Sequence, residues 1–185
     1  VKANQETTHR QNRDVAAEYL AGIEPLREAG KLAGVLLQFP QSFHRTMAHR
    51  RFLAAAIEDL AAVPLAVEFR HRSWDRPETL AGLRHRGVTL AVPDAPALRD
   101  LYRPAPELTG SVGYLRLHSR DAAKWYAGSK DRYDYHYSDA ELAELAKAWR
   151  GIAEQAEKVY AFFNNCHGGQ AAANAEAFAR IVEGL

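Results

Sequence analysis

Two short stretches put ionisable groups where a buried strand should be apolar. In "YLRLH" (114–118) Arg116 and His118 alternate with Leu115 and Leu117, and in "PLAVEFRH" (64–71) Glu68 and Arg70 alternate with Val67 and Phe69. Residues two apart on a strand share a face, so each stretch presents a polar pair on one side. The planar fork of a guanidinium matches phosphate or carboxylate, which makes Arg70 and Arg116 candidates for holding an anion. Glu68 and His118 are the groups on the same faces that could move a proton. A buried Arg–Glu network that merely plugs a core is the competing reading of these residues. Charges arriving from several strands favour a site, because burying an ionisable group is costly unless it is paired or used.

Six strand-like runs carry these and related residues: "VKAN" (1–4), "GVLLQFP" (34–40), "LAVEFR" (65–70), "TLAVPD" (89–94), "VGYLRLH" (112–118) and "KVYAFFNN" (158–165). All but the fourth are followed by a helical pattern, with alanine-rich interiors and apolar residues at helical spacing after the first two. Ser73 and Ser138 read as N-caps. Ser138 has Glu141 three residues on, the capping box that satisfies free N–H groups at a helix start, and predicts a helix over 139–156. The closing "GGQAAANAEAFARIVEG" reads as a helix entered through glycines, and "APALRDLYRPAPEL" after the fourth strand holds at most a short helix.

Strands alternating with helices predict an α/β fold with a parallel sheet. No Gly-x-Gly-x-x-Gly or Gly-x-x-x-x-Gly-Lys pattern follows a strand, which takes support from a nucleotide-binding open sheet and leaves a TIM-type (β/α) barrel as the expectation. A full barrel has eight strand-helix units in about 250 residues. Six strands in 185 residues therefore predict an incomplete barrel, its first two units missing, as a single domain over 1–185. The opening at Val1, already inside a strand-like run, reads as a start in mid-fold.

In a barrel one parity of each strand points inward and the other lies beneath the helices. One parity here holds Lys2 and Asn4, Gln38, Glu68 and Arg70, Arg116 and His118, and Asn164; the other holds Val35, Leu37, Val67, Phe69, Leu115, Leu117, Ala161 and Phe163. The polar set is thus expected inside, toward the carboxyl ends of the strands, where barrel enzymes place their sites. Asp94 serves as a turn residue before Pro96 or as a functional carboxylate, and Cys166 needs an activating base that adjacent His167 does not supply by sequence position alone. His9, His44, His49 and His85 read as surface residues. The segment "DAAKWYAGSKDRYDYHYS" follows the fifth run and is expected over the same end as Arg116 and His118. Its Trp125, Tyr126, Tyr133, Tyr135 and Tyr137, interleaved with Lys124, Lys130 and Arg132, suit stacking on sugars or bases or an ordered lid.

Composition narrows the classes. A net charge of +1 and a pI near 8.1 speak against a dedicated nucleic-acid or membrane-surface protein. The single cysteine excludes an intrachain disulfide and a multi-cysteine zinc site, and suits a cytoplasmic location. No apolar run reaches bilayer length, so no membrane partner is expected. No cofactor is expected either. Glu68, Asp94 and His118 could ligate a metal, but arginines among them repel a cation, so no metal is expected.

At four places the chain is similar to one family. "VEFRHRSW", "YLRLHSRDAAKWY", "RYDYHYSDAEL" and "YAFFNNCHGGQAAANA" resemble the domain of unknown function 72 family, also called YecE-like proteins, in the right order and from Val1 onward. The resemblance implies a TIM-type barrel, no established activity, and an upstream strand with a further glutamate that is absent here. By motif it singles out Glu68, Arg70, His71, Trp74, Arg116, His118, Arg132, Tyr133, Tyr135, Asn164, Asn165, Gln170 and Asn174; Ser119 stands where glycine is more usual. Together with Tyr126 from the aromatic segment, these give Glu68 and His118 as catalytic candidates and the others, Trp74 aside, as substrate-binding ones. The leading expectation is a hydrolase or other acid/base enzyme acting on a small anionic, phosphorylated substrate at the carboxyl end of the barrel. A nucleic-acid-binding module, a metal-assisted phosphoesterase and a non-catalytic scaffold are the alternatives.

Overall fold

A computed structural model describes residues 9–127 and 129–184. The strand-like run at 1–4, with Lys2 and Asn4, lies outside the described residues. Within them, β1 (Val35–Gln38), β2 (Leu65–Glu68), β3 (Thr89–Asp94), β4 (Val112–Leu117) and β5 (Lys158–Phe163) form one parallel sheet in the order of the sequence. The helices are α1 (His9–Glu28), α2 (Met47–Asp59), α3 (Pro77–His85), α4 (Ser129–Arg132), α5 (Asp139–Ala153) and α6 (Gln170–Glu183), with 3-10 turns at Arg72–Trp74 and His167–Gly169. The described part is thus an α/β fold in which each strand pairs with its neighbours in sequence.

The parity of the strands decides what lies on each face. Val35, Leu37, Val67, Phe69, Leu90, Val92, Leu115 and Leu117 join Leu53 and Ile57 of α2, Leu83 of α3 and Leu142 and Trp149 of α5 in one apolar core, with Ala161, Phe163 and Phe178 packed against it. Each such side chain, moved out of water, contributes on the order of 1.5–3 kcal/mol. At the carboxyl end Trp74 is buried, stacks on Phe69 at 4.3 Å and donates from Nε1 to the Phe43 carbonyl at 2.6 Å. The parity that faces away from this core is divided. Gln38, Glu68 and Arg116 on it are polar, whereas Leu36, Ala66, Tyr114 and Phe162 line an open apolar cleft, Phe162 being 47% exposed.

Local chemistry sets the element ends. Ser138 accepts from the Glu141 N–H while the Glu141 carboxylate accepts from the Ser138 N–H, the reciprocal cap expected at the start of α5. Ser73 does not cap a helix. Pro77 occupies the first turn of α3, and the residue before a proline is driven to extended geometry, so Arg76 with φ −146 and ψ 140 becomes the boundary. Ser73 Oγ instead accepts the Arg45 N–H at 2.8 Å. Gly168 and Gly169 enter α6 with φ of 56° and 80°, a region that glycine adopts without a Cβ penalty. Gly113 in β4 has another reason: a Cβ there would meet Ile152 and Val159 methyls at 3.0 Å.

Candidate functional site

Glu68 ends β2, Gln38 ends β1 beside it in register, Arg116 is one residue short of the end of β4, and His118 and Asn164 directly follow β4 and β5. All five face the same end of the sheet. Arg116 must cross β3 to reach Glu68, and the positions of β3 that it passes on the same face are Ala91 and Pro93, of which Pro93 is its register partner. Side chains this short leave the path open. Arg116 Nη1 then donates to Glu68 Oε2 and to Gln38 Oε1, the latter at 2.8 Å.

Glu68 is fully buried, Arg70 and Arg116 have side chains 15% and 13% exposed, and His118 is 2% exposed. Arg70 Nε lies 2.6 Å from Glu68 Oε1 and His118 Nε2 lies 3.3 Å from the same oxygen. Neither N–H points along the line to it, so these are close electrostatic contacts rather than directed hydrogen bonds, and all three atoms are buried without a hydrogen-bond partner among the described residues. On the far side of the ring, His118 Nδ1 is 3.1 Å from the Asn164 amide nitrogen. With that amide as donor, Nδ1 accepts and the ring proton sits on Nε2, toward Glu68.

Charge states follow from these contacts. Burial pushes the Glu68 carboxyl up, but the His118 contact and the Arg70 and Arg116 charges outweigh it and hold the group at about 2. Burial drives His118 down, the Glu68 contact opposes this, and Arg70 adds to the lowering, leaving it at about 4. At neutral pH the cluster therefore holds one carboxylate, two guanidiniums and a neutral imidazole. Arg70 is lowered by burial against the pull of Glu68, yet a guanidinium remains charged.

The aromatic segment lies over this end of the sheet, as expected from where it leaves β4. Trp125 is 2% exposed, meets His118 edge-on at 6.3 Å, and has the Arg70 and Arg132 guanidiniums 5.9 and 5.0 Å from its ring. Arg132 Nε also donates to the Trp125 carbonyl at 2.7 Å. Asp94, on the outer parity of β3, holds Arg120 through both carboxylate oxygens at 2.9–3.1 Å and accepts from the Tyr137 hydroxyl at 2.7 Å. Arg120, in the loop beyond β4, also ties that loop to Glu144 of α5 at 3.1 Å.

The candidates separate accordingly. Glu68, Arg70, Arg116, His118 and Asn164 come together, Arg132 approaches through Trp125, and Tyr133 is close enough to Arg70 to influence its charge. Gln38 and Trp125 join them without having been among the named site residues. His71 does not join: its ring stacks on His44 at 3.8 Å and its Nδ1 meets Ser73 Oγ at 2.9 Å. Tyr126 is 62% exposed and contacts Gln41. Tyr135 donates to Glu141 at the start of α5, and Gln170 donates to Asp134 at 3.0 Å. Asn165 and Asn174 are buried in a clamp on the loop: Asn174 Oδ1 accepts from the Tyr137 N–H at 3.0 Å and from Asn165 at 2.8 Å, its amide donates to the Tyr137 carbonyl, and Asn165 donates to the Tyr135 carbonyl. Of the histidines read as surface groups, His49 stacks on Phe43 at 4.3 Å. Among the described residues no three His, Cys, Asp or Glu side chains gather as a metal site. Open clefts lie between α2 and α3 and over Leu36, Tyr114 and Phe162.

No helix among the described residues is long and apolar enough to cross a membrane. In solved structures the same fold occurs in a protein of Thermotoga maritima, 38% identical with a TM-score of 0.89, over 92% of this chain and 65% of that one. It also occurs in one of Enterococcus faecalis, 29% identical with a TM-score of 0.86, over 92% of this chain and 66% of that one. Both are described as DUF72 family proteins. The UPF0759 protein YunF of Bacillus subtilis is 28% identical over 180 residues, 89% of this chain and 63% of that protein. The chain thus spans a little under two thirds of these relatives. With residues 1–184 matching "Protein of unknown function DUF72", the chain belongs to the DUF72 family.

Proposed function

We propose that the five-stranded sheet is an arc of a TIM-type (β/α) barrel and that Arg70 and Arg116, held on Glu68 at its carboxyl end, bind the anionic group of a small phosphorylated substrate of an enzyme. The observation that carries this is the charge balance: two guanidiniums face one buried carboxylate and a neutral imidazole. Among the described residues one positive charge is left over where water has little access, and an anion offsets it. The barrel is supported by the bare apolar half of the inner face, where Leu36, Tyr114 and Phe162 offer surface for further strands to cover. A cytoplasmic location accompanies this reading through the single cysteine.

Roles within the cluster differ. Glu68, enclosed and held ionised, orients the arginines and is a positioning residue. Proton transfer falls to His118, whose ring is neutral and whose depressed basicity an incoming anion restores by offsetting Arg70 and Arg116. Stacking on nucleic acid finds less support, since Trp125 and Tyr137 are turned inward at 2% and 0% exposure.

Calorimetric titration of the protein at its natural length with inorganic phosphate and phosphorylated metabolites, wild type against Arg116→Ala, tests the proposal. Loss of one charge-assisted contact is expected to weaken binding by about 1.5–3 kcal/mol. Thermal melts should show a loss of about 1–3 kcal/mol at most, because Glu68 gives up a hydrogen bond but keeps the Arg70 charge. Unchanged binding together with a large loss of melting temperature makes Arg116 a structural plug and sinks the proposal.

A further inference from the structure

On the helix side of the sheet, away from the Glu68 cluster, a groove runs between α2 and α3. Arg45, Arg50, Arg51 and Arg86 line it, and Glu78 is the one acidic residue along it. Among the described residues none of these four arginines has a carboxylate within ion-pairing distance, although other arginines of the chain do. Arg86 only bonds back to the Gly82 carbonyl of its own helix at 3.1 Å. Beneath them the groove is apolar, floored by Leu53, Ile57 and Leu83, with Met47 59% exposed at the rim.

We infer that this groove docks an acidic amphipathic helix of a partner protein. The charge pattern selects the occupant: four unpaired guanidiniums against one carboxylate call for glutamate or aspartate on the flanks of the incoming segment. The shape selects its form. A slot between two helices receives the side-chain ridge of a third, and an apolar floor rewards apolar residues at helical spacing. A bilayer fits less well, since Leu53 and Leu83 are recessed at 8% and 2% exposure and cannot insert. Nucleic acid would leave the apolar floor without a partner.

The probe is a synthetic fluorescent peptide carrying leucines at helical spacing flanked by glutamates, titrated into the natural-length protein and followed by anisotropy. Saturable binding is expected, weakening with added salt and falling by about tenfold or more in Arg50→Glu/Arg86→Glu, a change of about 1.4 kcal/mol or more. Arg50→Gln/Arg86→Gln should give an intermediate loss. Arg50 and Arg86 are exposed, so thermal melts of both variants should match wild type. Arg116→Ala should leave peptide binding unchanged, which separates this groove from the anion site. The inference is overturned if the peptide fails to bind, if it binds the charge-reversed variant equally, or if a scrambled peptide of the same composition binds as well. Retention by phosphatidylglycerol vesicles or duplex RNA in place of the peptide overturns it too.

Discussion

Lowering the pH from 7 to 5 is expected to destabilise the protein through His118. Its ring is held at about 4 against an ordinary 6.5, by burial and then by Arg70, with the Glu68 contact opposing. The unfolded chain binds a proton on this side chain below about 6.5, whereas the folded one resists until about 4. Stability from this group is therefore complete above the unfolded value and is lost as pH falls through the window between the two. One such group costs about 2 kcal/mol at pH 5 relative to pH 7. At about 2–4 °C per kcal/mol for a chain of this size, the melting temperature should fall by roughly 4–8 °C. Glu68, held at about 2 by its partners, leaves this window untouched and acts only below its ordinary 4.5. His71, lowered by burial and by His44, adds to the slope in the same direction. Denaturant melts of wild type and His118→Asn from pH 7 to pH 5 isolate the effect, and the variant should lose most of the slope. If His118→Asn keeps the full pH dependence, the buried neutral imidazole is not its source and the charge count at the site is wrong.

Asn174→Ala removes the clamp on the Tyr137 backbone and should cost about 2–4 kcal/mol in denaturant unfolding, since buried amide and carbonyl groups lose their partners; hydrogen exchange should rise first around Tyr137. Tyr137→Phe strips one donor from Asp94 while Arg120 stays, and a loss of about 1.5–3 kcal/mol is expected by the same measurement. Gly113→Ala drives a methyl against Ile152, Val159 and Trp149 and should lower stability by about 1–3 kcal/mol, with near-ultraviolet dichroism reporting displacement of Trp149.

The two faces of the sheet were legible because a strand repeats every two residues, so Val67 and Phe69 could be separated from Glu68 and Arg70 before any contact was known. The start of α5 was legible for the same kind of reason, its cap being a local pattern of Ser138 and Glu141. Ser73 misled because a local cap pattern was overridden by Pro77, which fixes where α3 can begin. His71 came from motif resemblance and not from alternation; its odd parity relative to Glu68 and Arg70 already placed it on another face. The roles of Asn165 and Asn174 depend on contacts with Tyr135 and Tyr137, dozens of residues away, and no local pattern carries such pairing. Arg116 reaching Glu68 over Ala91 and Pro93 was likewise hidden, since it needs the strand register.

The enclosure of Glu68 by two guanidiniums also constrains the order in which sequence change can proceed. If either arginine is lost first, a balanced one-to-one pair survives, and the carboxylate never faces the interior alone. If the glutamate is lost first, two like charges confront each other beside a neutral ring with little water to separate them. Mutational drift in this cluster therefore has a direction: one arginine can depart first, while the acid can leave only after that and together with the arginine that remains.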